Sequence, residues 1–205
     1  MSDPLFEADD AANTPLTPAE RDDLIPTYIT TRAELNEAEQ ENISEADQWA
    51  FARKRGDIVA PALLMALHRR MFRKDWRWAG TVRKSERNIG VAPHRVEVEL
   101  HTLIGDVRYW IAHKTYLPDE IAVRFHHRLV AIHPFPNGNG RHARLAADLL
   151  SVQLGGTRFS WGRRDLVEAA ETRRAYVAAL QAADRHDIMP LLAFARGQAI
   201  AEFAP

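Results

Sequence analysis

The chain has 205 residues, with 27 lysines and arginines against 28 aspartates and glutamates, a formal charge of −1. That length suits one domain with a sizeable core plus an appended segment, and the balanced charge gives no electrostatic case for nucleic acid or an anionic membrane. The absence of cysteine excludes a disulfide framework and a thiolate metal site. No signal-like segment opens the chain and no apolar run approaches the ~20 residues of a membrane span. The expectation is a cytoplasmic protein with no membrane or nucleic-acid partner.

Residues 1–14 carry Asp3, Glu7, Asp9 and Asp10 without a base, and read as a disordered acidic tail. Residues 15–55 read as an N-terminal helical segment, with a short helix between Pro15 and Pro26 and two more at about 31–42 and 44–55. A core domain is expected over 56–205. Its first helix, at 58–73, sets Ala60, Leu63, Leu64, Leu67 and Met71 on one stripe. Residues 81–95 break the helical period and read as a hairpin or flap. The period returns over 96–113, where Leu100, Leu103, Ile104, Val107 and Ile111 recur at helical spacing. Pro118 starts another helix, whose Ile121, Phe125, Leu129 and Ile132 face the core and deliver His133 at its end. Helices at 141–154, 163–184 and 187–203 complete an almost entirely helical, all-α pattern.

The densest chemistry lies in His133-Pro134-Phe135-Pro136-Asn137-Gly138-Asn139-Gly140-Arg141-His142-Ala143-Arg144. Gly138 and Gly140 suit a bend with φ > 0 and close approach of a ligand. The helix that follows carries Arg141 and Arg144 in its first turn, where Asp or Glu normally complements the positive pole. Cations stacked on that pole make sense if an anion sits there, and phosphate is the natural one. No Gly-Lys pair occurs, which excludes a P-loop. Gly138 to Ala143 fits G-x-G-x-x-A, but Pro134 and Pro136 stand where the strand should end, and βαβ alternation is missing. His126, His127, His133 and His142 lack metal-ligand spacing, and surface or capping roles are expected for His126 and His127. Trp76 and Trp78 read as core anchors.

These residues resemble a family. H-x-F-x-[D/E]-G-N-G-R-x-x-R is the signature of the Fic (Fido) domain, matched everywhere except at Asn137. Trp78 to Arg83 and Asp187 to Leu192 look like further family blocks, so the resemblance covers about residues 30–200. The layout is most similar to the small bacterial members called mobile mystery protein B. The resemblance implies a Fic-type helical bundle with a small β-hairpin flap, and a protein adenylyltransferase that moves AMP from ATP to a hydroxyl of a target protein. His133 would be the general base for a Ser, Thr or Tyr hydroxyl, and Phe135 would anchor the loop in the core. Gly138, Asn139 and Gly140 would cradle the α- and β-phosphates, with Arg141 on the β- and Arg144 on the γ-phosphate.

Asn137 stands where the family has an acid that ligates Mg²⁺, and its neutral amide implies a weakened metal site. The resemblance also implies an inhibitory helix, [S/T]-x-x-x-E-[G/N], for which Thr30 and Glu34 are the matching residues and whose Glu would oppose Arg144. Read from the residues alone, Glu34 is also a favourable charge near a helix N-terminus. The segment 83–95 would clamp the target by strand addition, with Ile89 and Val91 as contacts. It reads equally as a mobile surface loop. A homodimer is compatible with the family. Three activities stay open at this point: AMP transfer, phosphoryl transfer of the Doc type or another nucleotidyl transfer, and a nucleotide-binding regulatory or toxin-like module with little turnover.

Overall fold

Prolines and capping residues fix most of the helix starts. The computed structural model describes residues 17–52, 56–162 and 169–197. Thr17 and Glu20 close a capping box on α1 (Pro18–Arg21), and Thr31 and Glu34 close one on α2 (Arg32–Phe51). Proline occupies the first turn of α3 (Pro61–Phe72), α5 (Pro118–Ile132) and α8 (Met189–Arg196). α4 (Val96–His113) follows a 3-10 turn at Pro93–Arg95, α6 (Asn139–Gln153) carries the motif arginines, and α7 (Ala169–Asp184) precedes α8. The expected tail 1–14 lies outside the described residues, as do 163–168 and the end of the helix expected to reach 203.

α6 is the central helix. Ala143, Leu145, Ala146, Ala147, Leu149 and Leu150 are all buried, against α2, α3 and α5. α4 flanks α5, and α7 pairs with α8, which reaches α5. Trp76 and Trp78 are buried and stacked 5.0 Å apart, as core anchors. No helix among the described residues is long and apolar enough to cross a membrane.

Three expectations change. α2 is one helix where two were read, because Asn42 does not compete for its own backbone: its Nδ2 donates to Asp75 at 2.6 Å. His126 is fully buried on α5 rather than at the surface. The segment 81–92 forms no strand pair and is an irregular loop. The Arg83 guanidinium takes carbonyls of Ser85 and Val91 on that loop, which a hairpin ladder would otherwise use.

The core holds four imidazoles that burial keeps neutral. His133 and His142 are pushed down to about 4, and His68 and His126 fall well below the ordinary histidine range. An unfolded chain would protonate all four near pH 6.5. As pH drops through 6.5 the unfolded state takes up protons that the native state refuses, and stability falls. Each refused proton removes about 1.4 kcal/mol per pH unit. Burial raises the carboxyls of Asp75 and Asp148, which oppose the trend only nearer the carboxylate range. The urea midpoint is therefore expected to be lower at pH 5.5 than at pH 7.5. Equal midpoints would contradict neutral burial of these rings.

Candidate nucleotide site

α5 delivers His133 as its last turn unwinds. His133 sits in the left-handed region at φ 55°, unusual for a residue with a side chain, and caps the helix through its N–H to the Leu129 carbonyl. The cap is held by Arg83, only 2% exposed. Arg83 Nε donates to the His133 carbonyl at 2.6 Å, Nη1 to Ser85 O at 2.9 Å, and Nη2 to Val91 O. Its backbone N–H donates to Pro134 O at 2.9 Å. One buried guanidinium thus ties both ends of the 83–91 loop to the histidine turn.

Nδ1 of His133 lies 3.3 Å from the Val130 carbonyl. A carbonyl only accepts, so Nδ1 carries the hydrogen and the lone pair sits on Nε2. The ring is 5% exposed. Gly90 lies directly on it, since a Cβ there would come 2.6 Å from His133 Cβ. Burial, then the charges of Arg83 and Arg87, hold the imidazole down to about 4, against a raising contribution from Val130.

The motif loop is fastened from inside. Phe135 is fully buried and stacks on His68 at 3.6 Å. His68 Nδ1 accepts the Gly80 N–H at 2.9 Å, so its Nε2–H donates to the Asn137 carbonyl at 3.1 Å. The Asn139 side chain pairs with the Phe135 peptide in both directions, at 2.9 and 2.8 Å. That ladder-like pair ties the chain just past His133 to the first turn of α6. Asn139 was read as a backbone contributor, and its amide proves to be the clasp.

The two glycines differ. Gly138 has φ +76°, and a Cβ there would meet the Phe72 ring at 2.4 Å, so both conformation and space demand glycine. Gly140 is helical, contrary to the φ > 0 expectation, and has room for a Cβ, which would come no nearer than 3.8 Å to Tyr176 Oη. Asn137 Oδ1 accepts the Gly138 N–H at 2.6 Å. Among the described residues no group of three or more His, Asp or Glu could hold a metal ion. The neutral Asn137 amide, its oxygen already on the Gly138 N–H, is a poor ligand for a resident Mg²⁺.

Arg141 stands in the first turn of α6 and Arg144 in the second. Arg144 lies over the Tyr176 ring, 5.2 Å from its centroid, and Arg141 over Phe72 at 5.0 Å. Arg141 also pairs with Glu39 of α2, Nη1 to Oε2 at 2.7 Å. Glu39 is 5% exposed, and its Oε1 accepts Trp76 Nε1–H at 2.8 Å. Glu34, the expected partner of Arg144, is exposed, and its Oε2 takes the N–H groups of Thr30 and Thr31 at 2.8 and 3.0 Å. These bonds hold its carboxyl below the usual range. The correction is geometric. Five residues along a helix turn the side chain by about 140° and carry it about 7.5 Å, so Glu39 enters the site while Glu34 caps the helix. The signal was in the sequence: Leu35, Glu39, Asn42, Ala46 and Ala50 share one buried stripe, with two polar members.

The candidate target-docking residues also separate. Ile89 is exposed, whereas Val91 is half-buried and its N–H donates to Ile132 O at 3.3 Å. α1 reaches the same loop at other residues: Glu20 accepts from Ser85 Oγ at 2.9 Å and pairs with the buried side chain of Arg87.

Residues 59–151 match the model of the Fic/DOC family. Among curated proteins, the chain is 29% identical over 149 residues to protein adenylyltransferase fic-1 of Caenorhabditis elegans. That match covers 69% of the chain but only 27% of the relative, so the chain spans about a quarter of its length. A solved structure of residues 134–508 of C. elegans Fic-1 superposes with TM-score 0.60 at 25% identity, covering 84% of this chain and 50% of that one. BepC of Bartonella tribocorum, with bound AMPPNP, superposes with TM-score 0.67 at 17% identity, covering 88% and 97%. The family-model match over residues 59–151, the motif and the shared fold agree in their likeness to the Fic/DOC family.

Proposed function

We propose that the protein is a protein adenylyltransferase that takes AMP from ATP. The observation that carries this reading is the N-terminus of α6, which no side chain caps and where Arg141 and Arg144 add cationic charge beside a histidine turn. The AMPPNP held by BepC and the adenylyltransferase name of the worm relative support it. In this reading the amides after Gly138, those of Asn139 and Gly140, bind phosphate, and the two guanidiniums take the outer phosphates and stabilise charge in the transition state. His133 Nε2 accepts the proton of the attacking Ser, Thr or Tyr hydroxyl. That oxygen bonds to the α-phosphorus, pyrophosphate leaves, and AMP stays on the target.

The 81–92 loop covers the ring, so the target hydroxyl reaches Nε2 only when that loop draws back. Exposure also relieves the burial that depresses the imidazole, and restores basicity toward the ordinary value near 6.5. Ile89 is the loop's contact for a target segment, and Val91 the hinge side that stays on α5. The compartment we assign is the cytoplasm, and a homodimer is compatible with the arrangement. Mg²⁺ enters with the nucleotide's own phosphates, since Asn137 supplies one neutral oxygen already used by Gly138.

Glu39, rather than Glu34, is the brake in this proposal, because it neutralises Arg141 in the nucleotide's absence. With ATP labelled at either end, label from the α-phosphate should appear on protein and vanish in His133→Ala. Label from the γ-phosphate alone would overturn AMP transfer. Glu39→Gln keeps an oxygen for Trp76 but removes the charge, and should raise autolabelling several-fold, while Glu34→Gly behaves like the parent. The reverse pattern would return the brake to Glu34. Asn137→Asp should lower the Mg²⁺ concentration needed for half-maximal labelling by about tenfold, in line with the ligand charge it adds. An unchanged metal dependence would show that position 137 does not meet the ion.

A further inference from the structure

The first turn of α6 has a second lining that the motif does not contain. Tyr176 of α7 brings its hydroxyl over Gly140: the nearest atom that a Cβ at Gly140 would meet is Tyr176 Oη, at 3.8 Å. The same ring lies under Arg144. Tyr176 Oη is 3.1 Å from Nε2 of His126, which is fully buried and whose Nδ1 has no hydrogen-bond partner.

The hydrogen can be placed by elimination. Were it on Nδ1, a buried N–H would be orphaned, which is rarer in proteins than an unpaired acceptor. The hydrogen therefore sits on Nε2 and donates to Tyr176 Oη, leaving the phenol hydrogen to point away from His126. Beside it stand Arg144, which only donates, and the N–H end of α6. Burial raises the Tyr176 pKa, so the hydroxyl remains a donor at working pH. Donors converging from two helices, α6 and α7, share one kind of acceptor, an anionic oxygen.

We infer that Tyr176 is a phosphate-binding residue, whose hydroxyl, held by His126, donates to the terminal phosphates of a bound nucleoside triphosphate while its ring supports Arg144. The inference rests on the nucleotide reading above and adds a residue to it. Tyr176→Phe tests it directly, because the ring under Arg144 stays and only the hydroxyl goes. Calorimetric titration of the full chain with ATP should show about 5- to 20-fold weaker binding, the equivalent of one lost bond to a charged group. AMP, which lacks the outer phosphates, should bind as it does to the parent. Tyr176→Leu, which removes the shelf as well, should lose more. His126→Leu, which keeps the hydroxyl but not its holder, should show a smaller loss in the same direction. Parent-like ATP binding by Tyr176→Phe, or an equal loss for ATP and AMP, would overturn the assignment alone. A parent that binds no ATP would overturn the nucleotide reading together with it.

Discussion

The structure turns on the concentration of positive charge at one helix end. Three amides without intrahelical partners already make the start of α6 an electropositive pole, and two guanidiniums are added to it. Such a site is stable only with negative charge close by, and Glu39 provides it to Arg141. Breaking a fully buried pair costs about 3–5 kcal/mol. Arg141 is about a third exposed, which lowers that cost. A polyphosphate making several charge-assisted bonds, each about 1.5–3 kcal/mol, can exceed it. Glu39 is then a competitor of the same sign as the ligand, placed on a helix that is otherwise part of the core.

The same economy governs the histidine. A left-handed residue at a helix end, followed directly by Pro134, has little conformational reason to stay put. Arg83 and Asn139 fix it from opposite sides, one through carbonyls of the covering loop and the other through the Phe135 peptide. Because Arg83 binds the loop and the turn together, the position of the base and the position of its cover are coupled. α1 adds a further fastening, through Glu20 on Ser85 and Arg87.

The helices were legible because apolar residues recur at helical spacing and prolines mark the starts, as in 96–113 and from Pro118 onward. The motif loop was legible because its glycines and arginines are contiguous. What escaped was carried by long-range pairing. Nothing local to Tyr176 marks it as a neighbour of Gly140, 36 positions earlier, and only the packing of α7 brings them together. The pattern rule stopped at Glu34 because it reads spacing from a threonine, whereas the burial face of α2 selects Glu39. The hairpin was inferred from the loss of helical period, which does not distinguish a ladder from a loop organised by one arginine.

The central claim is that phosphate and Glu39 compete for the α6 pole, with His133 alongside. A crystal structure of the protein grown with ATP measures this most directly. The account predicts phosphate oxygens on the amides after Gly138 and on Arg141 and Arg144, with the Glu39 carboxylate displaced from Arg141. Phosphates bound elsewhere, with Glu39 still paired to Arg141, would contradict it.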